Sequence, residues 1–173
     1  AGIAGLGASK APVLLTDGQE LSSQTASELE RLKPSKVIVC GGESAISAAV
    51  LQEIEKATGV VPTRCQGKTA TSTARDIVNQ GTSITGGTWS DTAFIATNES
   101  CYDSLSIAPY AYAHQCPIFL SEGSEQLSQE TLDTMKSNGI TKVYIVGGTT
   151  AVSTNVEAQL SKAEIKYQGR LWG

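Results

Sequence analysis

KVIVCGGESAISAAV, starting at Lys36, and KVYIVGGTTAVSTNV, starting at Lys142, are one passage written twice. The match runs without a gap to Arg64-Cys65-Gln66-Gly67 and Arg170-Leu171-Trp172-Gly173, every pair 106 positions apart (142 − 36 = 106; 173 − 67 = 106). A repeat of this kind has to be read first, because each copy is one structural unit stacked on its neighbour. Upstream, Ala11-Pro12-Val13-Leu14-Leu15-Thr16 echoes Cys116-Pro117-Ile118-Phe119-Leu120-Ser121, and residues 1–10 echo the helix-like run 106–115. Nothing echoes residues 70–105. The expectation is therefore the C-terminal half of a first unit over residues 1–67 and a complete second unit over 68–173. On this reading the chain is a piece of a longer protein, cut inside a unit.

Within each copy, strand and helix patterns alternate. Short apolar runs rich in Val and Ile predict strands at Pro12–Thr16, Lys36–Cys40, Val60–Arg64, Thr92–Ala96, Pro117–Ser121, Lys142–Val146 and Ile165–Gln168. Helical periodicity predicts helices at Ser22–Leu32, Ala45–Ala57, Ala70–Gln80, Ser104–His114, Ser128–Ser137 and Ser153–Ala163. Ser22 and Ser128 read as N-caps, and Gly139 follows a helix end. Nearly continuous apolar strands fit a parallel sheet covered on both faces. The fold class expected is α/β, built from tandem small modules, each a mostly parallel sheet covered by helices.

Composition narrows the function. The 173 residues carry a net charge of −4, with basic residues scattered, which argues against a broad nucleic-acid-binding face. No apolar run approaches the roughly 20 residues of a membrane span. The four cysteines, Cys40, Cys65, Cys101 and Cys116, form no Cys-x-x-Cys pair, so zinc or a redox dithiol is not expected. The repeat sets Val146, Leu171 and Ala11 against Cys40, Cys65 and Cys116, which marks these three as apolar core positions. A bridge between Cys101 and Cys116 would have to span a helix roughly 15 Å long. Cys40 with Cys65 is the least implausible pair.

No catalytic constellation stands out. The single histidine, His114, ends a helix pattern, where its charge suits the dipole. Glu28 with Glu30 is a solvated helix face, and Asp103 reads as a first-turn helix residue. No cofactor and no metal site is expected, and this segment is not expected to be an enzyme. The Gly41-Gly42 and Gly147-Gly148 pairs each join a strand to a helix; they are either anion-holding turns or tight turns that need positive φ. Neither the spaced-glycine dinucleotide pattern nor a phosphate-loop Gly-Lys-Ser/Thr accompanies them. Arg64 and Arg170 share one position in the two copies. Each could fork onto a carboxylate or phosphate, or could make an ion pair that fixes one module against the next. Lys68 and Arg75 would thicken a basic patch at the junction. Trp172 and Tyr102 could stack on a sugar ring or belong to core and interface.

These motifs, taken in order, resemble the cell wall-binding repeat family, type 2. Pro12–Thr16 and Pro117–Ser121 resemble its "PILL" strand. Val39–Ser47 and Val146–Ser153 resemble its Gly-Gly turn, and Arg64-x-x-Gly67 and Arg170-x-x-Gly173 its Arg-x-x-Gly boundary. Thr73-Ala74 and the two runs 90–97 and 102–109 match the motifs that follow. The resemblance spans essentially the whole chain. One departure is Lys68-Thr69-Ala70-Thr71-Ser72, where the family usually has an Arg-Tyr or Arg-Phe before Thr-Ala.

The resemblance implies Toprim-like modules that pack in threes on a Gram-positive surface protein. It implies a non-covalent anchor that binds anionic secondary cell-wall polymer and tethers a larger extracellular protein at the cell wall. The candidate ligand-binding residues are Arg64, Lys68, Arg75 and Arg170 at the junction, with Pro12, Leu15, Pro117 and Leu120 from the "PILL" strands. Partners expected are the polymer and other repeats or another copy of the chain, with no nucleic acid. Two other readings remain open: a nucleotide- or sugar-nucleotide-binding domain of an enzyme, and a self-associating scaffold.

Overall fold

A computed structural model of the chain describes residues 11–171. The expected helix-like segment over residues 1–10 and the aromatic Trp172 lie outside them. The element order is α1 (Ser23–Leu32), β1 (Ile38–Cys40), α2 (Ala48–Thr58) and β2 (Thr63–Cys65), then α3 (Ala70–Thr85), β3 (Thr92–Thr97), α4 (Tyr102–His114), β4 (Ile118–Ser121), α5 (Gln129–Ser137), β5 (Lys142–Val146), α6 (Thr154–Lys162) and β6 (Lys166–Leu171). The strands form two parallel sheets, β1-β2 and β4-β3-β5-β6. The expected α/β architecture with parallel sheets and covering helices is the one observed.

The repeat is reproduced in three dimensions. α1 and α5 begin 106 residues apart, as do α2 and α6 (129 − 23 = 106; 154 − 48 = 106). Ser22 and Ser128 cap their helices by accepting the amides of Thr25 and Thr131, as the sequence predicts. Ser47 and Ser153 also cap theirs, so α2 starts three residues after the predicted Ala45. The β1-β2 pairing of Ile38 with Thr63 through Cys40 with Cys65 repeats in the second copy as Tyr144 with Gly169 through Val146 with Leu171.

The copies differ in what surrounds the central strand. In the second, β5 lies between β3 and β6. Its core packs Ile95, Phe119, Met135, Val143, Ile145, Val156 and Leu160 on one face of the sheet. Phe94, Ile118, Val146 and Ala111 of α4 pack on the other. In the first, β1 has only β2 beside it among the described residues. Its smaller core packs Leu29, Val39, Val50 and Ile54.

The predicted strand at Pro12–Thr16 is not formed. Its counterpart β4 is an edge strand whose bonds come entirely from β3 (Phe94 with Ile118 through Thr97 with Ser121). Residues 11–16 have no such neighbour among the described residues, so they run without strand pairing and leave Val13 60% and Leu15 84% exposed.

α3 joins the two halves. It follows β2 directly, packs on both β2 and β4, and touches α5. It runs five residues past its predicted end, until Gly86 closes it in the left-handed region at φ 74°. Trp89 then reaches back, its indole N–H donating to the Val78 carbonyl at 2.8 Å.

Candidate functional site

The strand-to-helix turn after β1 is shaped by three hydrogen bonds. Gly41 sits at φ 124°, a conformation L side chains rarely adopt, and its amide donates to the Cys65 carbonyl at 2.8 Å. The Arg64 guanidinium donates to the Gly41 carbonyl at 2.6 Å and to the Ile46 carbonyl at 2.8 Å. The second copy rebuilds this turn with Gly147 at φ 103°, whose amide donates to the Leu171 carbonyl at 2.8 Å. Arg170 donates to the Gly147 and Gly148 carbonyls at 3.2 and 3.1 Å. It also grips the Glu157 carboxylate with two donors at 2.9 and 2.7 Å. Each arginine thus holds the turn of its own copy, and neither pairs with a carboxylate of the other copy.

The two turns open onto different surroundings. At the second, Asp103 in the first turn of α4 brings its Oδ2 within 2.6 Å of where a Cβ on Gly147 would stand. At the first, a cleft of ≈ 450 Å³ opens between the copies. One wall is Gly41, Gly42, Ser44 and Ala45. Opposite them lie Lys68 and the first two turns of α3 (Thr69, Ala70, Thr73, Ala74), and the floor is Ile118 and Leu120 of β4.

Among the described residues Lys68 is the one charged residue lining the cleft, and Glu43 stands exposed between the lining residues Gly42 and Ser44. Lys68 is exposed and forms no ion pair among the described residues. The N-terminal end of α3 adds the partial positive charge of its amides. Thr69 and Ser72 cap it reciprocally, with the Ser72 amide donating to Thr69 Oγ1 at 3.2 Å and the Thr69 amide to Ser72 Oγ at 2.8 Å.

Among the eight residues singled out from the sequence, Lys68 and Leu120 line this cleft together. Arg64 stands behind its glycine wall. Arg75 turns away: it donates to Ser128 Oγ and Thr131 Oγ1 at 3.1 and 3.2 Å and lies 3.8 Å from Glu122, tying α3 to α5. Pro12 lines a shallower apolar groove with Val13, Leu105, Ala108, Pro109 and Tyr112. Leu15 is exposed and Pro117 is buried at the foot of β4. Arg170 belongs to the other turn. Sequence reasoning did not pick out Gly42, Ser44, Thr73 and Ala74 as lining. The signal available for them was their position on either side of the junction between copies.

The remaining candidates fall elsewhere. His114 is exposed at the end of α4, stacked on Tyr110 with ring centroids 4.1 Å apart. Tyr102 is 79% exposed at the start of α4. All four cysteines are free thiols, and burial pushes the Cys65 thiol up to about 12. Among the described residues no cluster of His, Cys, Asp and Glu could hold a metal ion, and no helix is long and apolar enough to cross a membrane.

The chain is similar to several known proteins. The family Cell wall binding domain 2 (CWB2) matches residues 64–157. The Amidase enhancer of Bacillus subtilis is 32% identical over 152 residues, 88% of this chain and 19% of that protein. The N-acetylmuramoyl-L-alanine amidase LytC of the same species is 28% identical over 150 residues, 87% of this chain and 29% of that protein. Among solved structures, Cwp6 from Clostridium difficile superposes with a TM-score of 0.84 at 28% identity, over 99% of this chain and 27% of that one. Cwp8 from the same organism gives 0.76 at 28% identity, over 99% of this chain and 29% of that one. The chain therefore spans less than a third of the length of each of these relatives.

Proposed function

Because this chain belongs to the Cell wall binding domain 2 family, and is thus a wall-binding module of the cell surface, we propose that it grips an anionic secondary wall polymer in the cleft between its two copies. In doing so it tethers a larger surface protein. The observation that carries this reading is the asymmetry of the two Gly-Gly turns. The first opens on Lys68, which has no ion-pair partner among the described residues, and the start of α3, and the second on the carboxylate of Asp103. The first turn offers an anion Lys68 and the start of α3, where the second offers a carboxylate.

The chain has a net charge of −4, so long-range attraction does not bring an anionic polymer to it. Binding has to be local. Lys68 and the α3 amides meet successive anionic groups, while the part-exposed Leu120 offers an apolar floor to the sugar faces between them. Arg64 acts through the turn it holds rather than by touching polymer. The small apolar side chains of Ala45, Ala70 and Ala74 leave the cleft open, as a linear polymer passing through it requires.

The effector activity lies in the rest of the parent protein, and this segment serves as its anchor. The amidase and the amidase enhancer among its relatives fit that division of labour. The test is sedimentation of the chain with purified Gram-positive walls, before and after acid stripping of the secondary polymer, across a salt series. Retention that disappears on stripping and falls as salt rises is expected. Equal retention on stripped walls would sink the reading.

A further inference from the structure

We propose that Cys40 and Cys65 are a disulfide-forming pair that staples the two-stranded sheet of the first copy, closed by exchange with a small-molecule disulfide outside the cell. The two residues are direct partners in the β1-β2 register. Partners on adjacent strands face the same side of the sheet and stand roughly 4.8 Å apart, inside the Cα window a disulfide accepts. The backbone is fixed beside them, since the Gly41 amide donates to the Cys65 carbonyl at 2.8 Å.

The pair is found in the first copy alone. The same register positions in the second copy are Val146 and Leu171, which carry no thiols. That copy's central strand is bonded on both sides, whereas β1 has one neighbour among the described residues. A covalent link at Cys40 and Cys65 would tie β1 to β2 at one end of their three-residue pairing. A wall-surface location lies outside the reducing cytosol, where such a bond persists.

The order of steps follows from exposure. Cys40 is part-exposed, whereas Cys65 is fully buried. The Cys40 thiolate attacks one sulfur of an R–S–S–R disulfide, forming a mixed disulfide and releasing one thiolate R–S⁻. Cys65 Sγ then attacks Cys40 Sγ, the mixed S–S bond breaks, and the second R–S⁻ leaves. The two thiol protons end on the two released R–SH molecules. Burial raises both thiols above the ordinary cysteine value, so exchange in the folded chain is slow at neutral pH and quickens as pH rises.

The test incubates the folded chain with oxidised glutathione at pH 8.5. A second sample is refolded in its presence, and both are denatured and alkylated with N-ethylmaleimide. Two alkylated cysteines out of four are expected, with a tryptic cross-link joining the peptides 37–56 and 65–68. Melting should rise by roughly 5 °C or more over the reduced chain. The variant Cys40→Val with Cys65→Leu, the pair found in the second copy, should alkylate at both remaining cysteines and melt alike with and without oxidant. Four alkylated cysteines in both samples would overturn the proposal. So would a cross-link through Cys101 or Cys116, or glutathione retained on Cys40.

Discussion

Arg64 and Arg170 occupy one position in two copies and act on the same turn with different help. Arg170 has the Glu157 carboxylate at 2.7 Å, and its side chain is 5% exposed. At the place of Glu157 the first copy has Leu51, which packs toward the Leu29–Ile54 core. Arg64 therefore meets only backbone carbonyls. The second copy is a closed unit with its turn locked by an ion pair and its approach taken by Asp103. Among the described residues the first has a two-stranded sheet whose turn faces the cleft. Identical backbone motifs thus have two surroundings: one turn lies against Asp103, and its twin forms a wall of the cleft.

The largest expected difference lies in the cores. Phe119 is fully buried, so Phe119→Ala should cost about 3–5 kcal/mol in urea unfolding. Its counterpart Leu14 is only half-buried against the smaller core, and Leu14→Ala should cost about 1–2 kcal/mol. Equal losses would mean that the first copy is as well packed as the second.

Next come the arginines. Arg170→Ala strands the part-buried Glu157 and should cost about 2–3 kcal/mol, against about 1–2 for Arg64→Ala. Glu157→Leu puts Arg170 in the condition of Arg64, and thermal melting should fall by less than for Arg170→Ala. The helix caps separate more finely. Ser22→Ala loses one cap, about 1 kcal/mol. Ser128→Ala loses the cap and an Arg75 bond, so its cost should exceed that of Ser22→Ala by about 0.5–1 kcal/mol.

The smallest effect compares two lysines at the same repeat position. Lys142 pairs with Asp91 at 2.9 Å, whereas Lys36 donates to the Ile84 carbonyl at 2.5 Å. Hydrogen bonds from Lys142 and Thr92 hold the Asp91 carboxyl below its usual value. Its contribution is therefore complete above the unfolded carboxylate value of about 4 and is lost as pH falls through the lowered one. Asp91→Asn should flatten a slight acid slope of stability, whereas Lys36→Met should leave that slope unchanged, because a carbonyl does not titrate.

Much of this was legible beforehand, for a local reason. Caps and turns are encoded within a few residues. Ser22, Ser128, Gly41 and Gly147 announce themselves, and the 106-residue echo shows that each is used twice. The alternation of strand and helix gave the parallel α/β layers directly. What failed was non-local. Pro12–Thr16 has a strand's composition and no strand beside it among the described residues, and pairing is decided by the neighbour. Lys68 and Arg75 looked like one basic patch. They part because Arg75 reaches Ser128 and Thr131, more than fifty residues downstream. The cleft depends on α3 lying between two sheets, which no local pattern states.

The central claim is that polymer is held between the copies, on the Lys68 side of the first turn. Its most direct test is wall sedimentation of Lys68→Glu beside Lys166→Glu. The two changes alter net charge equally, but Lys166 stands at the amino end of β6 and lines no part of the cleft. The prediction is that Lys68→Glu weakens retention on intact walls at least tenfold while Lys166→Glu binds like the unaltered chain. Equal retention of the two variants would contradict it.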